Sequence, residues 1–438
     1  MSRKLKKQLK ATVIEINVKK ALQDSTTGHR SARHIAAILL AATTTLQGCQ
    51  TLKGPAYVEP TAPDKVRWVG NAASPGAAID QPRRIDLAWW RGFNDKTLNG
   101  LVDRALTGDF TVRILELRLQ QAGIGIEEAE ARRLPTLRAT LGGNFTHTGG
   151  TTSRSYALDN ALNWEFDLWG KAKKGVKSKE ALYRASEADW RAGQLTLVSS
   201  VASQYFGLLL LDEQYRNQLR TVEHNQKLLR IYRAQLAEGL IPESRVRSQV
   251  AELASLTSEK LNLERQRRVA ELQLATLIGT PAGELSIPAG QLTGHVTAPE
   301  VPVGLPSDLL TRRPDILAKG YGVLAAHELV GQAHLARLPS VSLTATGGTA
   351  SNVLSSLLKV WTFGLAPSIN IPIFDPGVKL NIRSRTIDMK VAEEEYKRTI
   401  VKAYEEVETA LVNLQFRRAQ MDRLTEQTSQ LRIVQRAQ

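Results

Sequence analysis

The sequence predicts an α+β membrane protein built from a duplicated unit, a β-hairpin followed by a long helix. Three observations predict it. From Tyr156 to Leu168 alternate positions are apolar or Asn (Tyr156, Leu158, Asn160, Leu162, Trp164, Phe166, Leu168), and the positions between run Ala157, Asp159, Ala161, Asn163, Glu165, Asp167. A period of two marks a strand with one apolar face, and about ten residues is the length that crosses a bilayer within a closed barrel. Val201, Leu208, Tyr215, Val222, Leu229 and Leu236 stand seven apart, a spacing that keeps one helix seam against a neighbour by supercoiling. The strand pattern then returns as Trp361, Phe363, Leu365, Ile369, Ile371 and Ile373, ahead of Asp375-Pro376-Gly377 and another long helix.

Residues 1–48 read as a signal peptide. Arg30, Arg33 and His34 precede the short apolar run Ile35–Ala42, small residues follow, and the single cysteine, Cys49, closes the segment. Leu46-Gln47-Gly48-Cys49 resembles a bacterial lipoprotein signal, which implies cleavage before Cys49, lipidation of its thiol and anchorage to membrane lipid by its acyl chains. Gln50 fits sorting to the outer membrane. Residues 49–88, rich in Pro, Gly and Ala without a period, read as an extended lipid-anchored tether.

Net charge is +15, but nine Lys and Arg lie before residue 49 against Glu15 and Asp24, which leaves +8 for the remainder. Those cations are scattered among Glu and Asp on helical segments, the pattern of solvated faces, and no nucleic-acid partner is expected. No run of 18 apolar residues is present, so no membrane-crossing helix is expected.

The first repeat spans 89–306. A helical period begins near Trp89 and continues through Leu98, Leu101, Leu106, Val112, Leu115 and Leu119 to end before Pro135. Hairpin strands follow within 136–168, with Gly149-Gly150 at the turn. A long helical hairpin covers 171–279: the outgoing helix is broken by Glu238-Gly239-Leu240-Ile241-Pro242, and the return helix sets Leu256, Leu263, Ala270 and Leu277 seven apart before Gly279-Thr280-Pro281. A Pro-rich crossing through Pro288, Pro299, Pro302 and Pro306 reaches the second repeat, 307–438. There Leu338-Pro339-Ser340 answers Leu134-Pro135-Thr136, strands lie within 340–374, and a long helix covers 377–438. Val407, Leu414 and Met421 stand 206 residues beyond Val201, Leu208 and Tyr215. By that offset Gln438 matches Tyr232, so the second turn and return helix are missing, as in a truncated or damaged copy.

Four strands cannot close a barrel, because an unpaired edge in lipid is too costly. Several chains must share one, and three would supply twelve strands, an even number within the known range. Arg312-Arg313-Pro314-Asp315-Ile316 after Asp308-Leu309-Leu310, Phe166-Asp167-Leu168-Trp169-Gly170, Trp89-Trp90 with Phe93 and Leu98, and Leu277-Ile278-Gly279-Thr280-Pro281 resemble the TolC-like outer-membrane factors, in particular the NodT-type outer membrane lipoproteins of tripartite efflux systems. The resemblance covers roughly residues 46 to 438. It implies a homotrimer with a twelve-stranded barrel in the outer membrane and a coiled-coil helical tunnel in the periplasm. It further implies a passive duct for drugs, metal ions or other small solutes, served by a periplasmic adaptor and an inner-membrane pump. Gly239 and Leu240 match the helix tip on which the adaptor docks, while Gly239 is equally a turn residue. The alternative is a lipid-anchored periplasmic coiled-coil scaffold or a non-functional copy.

No enzyme and no cofactor is expected. Gly170-Lys171-Ala172-Lys173-Lys174-Gly175-Val176-Lys177-Ser178 misplaces the lysine of a phosphate loop by one residue and reads as a charged helix start. His327 and His334 are seven apart, not the four that put two ligands on one metal, and read as solvated helix histidines. Arg312 and Arg313, beside Pro314 and Asp315, read as the structural start of a helix.

Overall fold

The computed structural model describes residues 55–58, 60–63, 65, 68, 88–292, 310 and 312–437. Cys49, the signal segment, most of the tether and Pro299, Pro302 and Pro306 lie outside the described residues. The chain divides into Met1–Ala56 and Tyr57–Gln438, and the elements below belong to the second unit.

A 3-10 turn at Trp89–Phe93 leads into α1 (Lys96–Gly108) and α2 (Phe110–Ala131). The sequence pattern had run these helices together. Asp109 separates them: its extended backbone ends α1, and its carboxylate accepts from Val112 N at 2.9 Å to cap α2. Asp95 caps α1 through Thr97 N and Leu98 N, and its second oxygen accepts from the Tyr205 hydroxyl at 2.8 Å.

Strands β1 (Thr136–Thr148) and β2 (Thr151–Phe166) form the first hairpin, β3 (Ser340–Ser351) and β4 (Thr362–Asn370) the second. Gly149 and Gly150, with φ of 57° and 81°, make the first turn; a two-residue connection with both φ positive matches the twist of the strands it joins. Thr349 donates its hydroxyl to Leu357 O, tying the second loop back to the sheet. The order is β1-β2-β3-β4, antiparallel throughout. The two repeats therefore meet through β2 and β3 in one sheet. β4 is shorter than the alternation suggested and stops at Asn370. Ile371 and Ile373 continue the pattern beyond it, but Pro372 has no N–H to give a ladder.

The helices supply the core. The outgoing helix α3 runs Lys171–Ala237, the return helix α4 Glu243–Leu277, α5 Pro314–Leu335 and the second long helix α6 Pro376–Ala437. At about 1.5 Å per residue α3 is roughly 100 Å long. One cluster joins Leu98, Leu101 and Val102 of α1, Val201, Tyr205 and Leu208 of α3, Leu274 of α4, and Leu285 and Ile287 beyond it. A second joins Trp68 and Ile316 to Tyr396, Ile400, Ala403 and Tyr404 of α6. The heptad seam is where expected: Val201, Leu208, Val222 and Leu229 are buried, as are Leu263 and Ala270 opposite them. In α6, Leu414 and Met421 are 42% and 65% exposed where their counterparts face α4.

One apolar stretch calls for an account, and one expectation needs correction. A window of α3 is long and apolar enough to cross a membrane by length and composition. However, the apolar residues Leu197, Val198, Val201, Ala202, Tyr205, Leu208 and Leu209 are buried against protein, which accounts for its character. His327 is not solvated either: it is 7% exposed, with its ring edge-on to Tyr57 at 5.2 Å between centroids.

Candidate functional site: a two-faced sheet and a helix tip

The strand register carries the alternation across the whole sheet. Leu137, Leu162, Ala345 and Leu365 stand in one row, Trp164, Leu343 and Pro367 in the next, and Phe166, Val341 and Ile369 in the one nearest the helices. All lie on one face. The other face aligns Thr136, Asn163, Thr344 and Ala366, then Arg138, Ala161, Thr346 and Gly364. Side chains bond across it: Thr344 Oγ1 donates to Asn163 Oδ1 at 3.2 Å, and the hydroxyls of Ser342 and Ser368 lie 2.8 Å apart.

The apolar face is open to its surroundings. Leu137, Leu141, Phe145, Phe363, Leu365 and Ile369 are between 63% and 83% exposed. A contiguous apolar face of this kind belongs in lipid or against a partner. From Tyr156 to Phe166, at about 3.3 Å per residue and with the tilt usual for barrel strands, it rises about 25 Å, the height of the apolar band on outer-membrane barrels. Aromatics also cover the glycines that would leave gaps. Tyr156 lies over Gly143 and Phe363 over Gly347, each directly across the ladder from the glycine it shields. Gly143 and Gly347 are 204 residues apart, so the duplication preserved the device.

At the sheet's helix end, Trp164 Nε1 donates to Arg133 O at 2.9 Å and Trp169 Nε1 to Pro339 O at 2.6 Å. Tryptophans with one apolar side and one satisfied N–H are the residues of a membrane boundary. Asp167 accepts from Ala172 N and Lys173 N, both at 2.9 Å, and so occupies the start of α3 that a phosphate loop would leave for a ligand. Asp375 does the same for Gly377 N and Val378 N. β1 and β4 are edges, each paired on one side only among the described residues.

The hairpin tip is built by a double backbone bond. Leu240 N donates to Gln235 O at 2.8 Å and Gly239 N to Leu236 O at 3.0 Å, with Gly239 at φ 69°. This is the Schellman end of α3, and the left-handed residue it needs is a glycine. Leu240 is an apolar side chain left 72% exposed at this turn. Gly239 and Leu240 are thus together at the tip, while Cys49 lies outside the described residues. Arg313 and Asp315 prove to be a fastening between helices: the Arg313 guanidinium meets Asp315 at 2.7 Å and Glu406 of α6 at 2.7 Å. Among the described residues no group of three or more His, Cys, Asp and Glu is placed to hold a metal ion.

The polar face of the sheet is legible in the sequence. Its signal is the odd positions between Ala157 and Asp167, which are small, amide or acidic; Ala161, Asn163 and Glu165 stand opposite Thr346, Thr344 and Ser342 of β3. A second polar feature has no sequence period at all. Asp212, 3% exposed, accepts from Arg267 Nε at 2.5 Å and from Gly290 N at 2.9 Å; Arg267 donates onward to Ile287 O and Glu271 accepts from Ile287 N. These bonds fix the segment after α4 to both helices of the hairpin.

The family model described as outer membrane efflux protein matches residues 101–280 and 305–438. The pyoverdine export outer membrane protein OpmQ of Pseudomonas aeruginosa is 29% identical over 387 residues, 85% of this chain and 80% of its own length. The probable outer membrane lipoprotein SilC of Salmonella typhimurium is 28% identical over 380 residues, 84% and 80% of the two chains. Among solved structures, that of CusC, reported with its transmembrane channel formation, superposes with a TM-score of 0.76 at 25% identity, over 87% of this chain and 88% of that one. A two-faced strand sheet continued by heptad helices, with this family match along both repeats, identifies the chain as a member of the outer membrane efflux protein family, an outer-membrane channel component of an efflux system.

Proposed function

We propose that three copies of this chain close a twelve-stranded barrel, and that the long helices continue it as a periplasmic tunnel through which small solutes such as drugs or metal ions leave passively. The single observation that carries the reading is the four-stranded sheet with an apolar face, a polar face and an unpaired edge at each side. Edges in lipid must be paired, and β4 of one copy beside β1 of the next keeps every strand antiparallel. The polar face then lines the lumen with hydroxyls and amides, a surface that passes solutes without chemistry. On this reading the protein is not an enzyme, and the energy comes from an inner-membrane pump acting through a periplasmic adaptor. Leu240, exposed at a turn held rigid by its own backbone bonds, supports adaptor docking at the Gly239-Leu240 tip. Cys49 at the end of its apolar segment supports a lipid anchor on the mature N-terminus, with residues 49–88 as the tether and 89–306 and 307–438 as the two repeats.

The experiment is cross-linking and conductance on detergent-purified protein. The expected result is a trimer on cross-linking and steady, nucleotide-independent conductance in planar bilayers. A monomer that extracts without detergent and leaves bilayers sealed would establish the scaffold instead.

A further inference from the structure

Cations crowd the helix end of the sheet, and their placement repeats with the duplicated unit. Lys173 and Lys177 of α3 correspond, 206 residues on, to Lys379 and Arg383 of α6, and Arg133 before β1 corresponds, 204 residues on, to Arg337 before β3. The first nine residues of α3 hold five lysines and no carboxylate, and α6 reaches Arg385 before its first acid, Asp388. Cations at the start of a helix oppose its dipole, so helix energetics do not account for them. Farther along, the same helices pair their cations with acids one turn away, as in Arg191 with Glu187, Lys227 with Glu223 and Lys397 with Glu394. Near the sheet, the one acid beside Arg133 among the described residues is Asp167, at 3.9 Å. Lys173, Lys177, Arg337, Lys379 and Arg383 are exposed and have no ion pair among the described residues.

Their direction follows from what surrounds α3. Lys171 turns to the polar sheet face, where its ammonium meets Glu165 at 2.7 Å. α5 lies against Lys174 and Gly175, and α2 against Lys179 and Tyr183. At about 100° per residue, Lys173 and Lys177 stand roughly 200° and 240° around the helix from Lys171, outside both neighbours and on the side of the sheet's apolar face. Trp164 and Trp169 mark the same level. We propose that Lys173, Lys177, Lys379 and Arg383, with Arg133 and Arg337, bind the phosphates of anionic phospholipid headgroups in the leaflet at the helix end of the barrel. The partner is set by charge complementarity and by continuity with the apolar band directly above, and the assignment rests on the reading that this band contacts lipid. Four or more cations at headgroup depth fix how far the barrel sinks, because the long side chains reach phosphate while their helices stay in water.

The test presents the purified full chain with mixed micelles of phosphatidylglycerol and phosphatidylcholine bearing the same acyl chains, and quantifies by mass spectrometry the lipids that stay bound. The expected result is enrichment of phosphatidylglycerol of about tenfold at low salt, collapsing as salt is raised, and reduced to near parity in K173Q/K177Q/K379Q/R383Q while the oligomer survives on a native gel. Equal retention of the two lipids by the unaltered protein overturns the proposal, as does enrichment that persists in the fourfold variant or ignores salt. Should that variant fail to assemble, the salt dependence of the unaltered protein decides alone. Retention of neither lipid would instead strike at the lipid-facing sheet itself.

Discussion

Asp212 shows what one residue holds in place. Its buried carboxylate joins Arg267 of α4 to Gly290 of the segment beyond it, and Arg216 donates to Gly290 O at 2.8 Å from the neighbouring turn. Removing one partner of a buried pair strands the other, at about 3–5 kcal/mol. Asp212→Ala is therefore expected to lower the denaturation midpoint markedly and to expose the chain after Ile278 to protease; a change within about 0.5 kcal/mol would refute the role. Arg313 and Asp315 allow a gentler test. Burial tends to raise the Asp315 carboxyl, but the hydrogen bond and charge of Arg313 outweigh it and hold the group below the usual carboxylate range. The folded value lies below the unfolded one, so the pair contributes fully above about pH 4 and is lost as pH falls through the depressed value. Acid titration of stability should show this slope, and Asp315→Asn should remove it. Arg313-Pro314-Asp315 was legible as a helix start because each residue acts within one turn. Its link to Glu406, 93 residues away, was not, since an ion pair across helices leaves no local pattern.

At the scale of elements, periodicity told most about the parts whose surroundings are uniform along their length. A strand between lipid and water, or a helix seam against one neighbour, repeats its residue types at a fixed interval, and both hairpins and α3 were readable for that reason. Boundaries set by a single side chain were harder. Asp109 divided α1 from α2, and Pro372 ended β4. The sharing of one sheet by both hairpins was also invisible, because the β2–β3 register pairs residues as far apart in sequence as Phe166 with Val341 and Tyr156 with Ser351. The tip between α3 and α4 separates two reasons for a residue. Gly239 is needed by φ 69°, whereas the side chain of Leu240 is 72% exposed and only its backbone N–H serves the turn. Leu240→Asp should leave thermal stability within about 0.5 kcal/mol, as exposed substitutions do, and should abolish capture of a cognate adaptor in pull-down. Undiminished capture would move the docking surface elsewhere.

For the whole molecule, the duplication explains how one chain supplies both a barrel wall and a tunnel wall. Each unit carries an apolar strand face, aromatics over a glycine, an acid-capped helix start and a heptad seam, and the seam continues where the strand ends. The account turns on one physical claim: even positions of β2 touch lipid and odd positions face water. Spin labels placed singly from Tyr156 to Phe166 in membrane-reconstituted protein test it most directly, by comparing collision with oxygen, which dissolves in lipid, against collision with a water-soluble nickel chelate. Oxygen access should peak at Leu158, Leu162 and Trp164, and nickel access at Ala157, Asp159 and Asn163, with a period of two throughout. A period near 3.6, or nickel access that is equal at every position, would contradict the barrel.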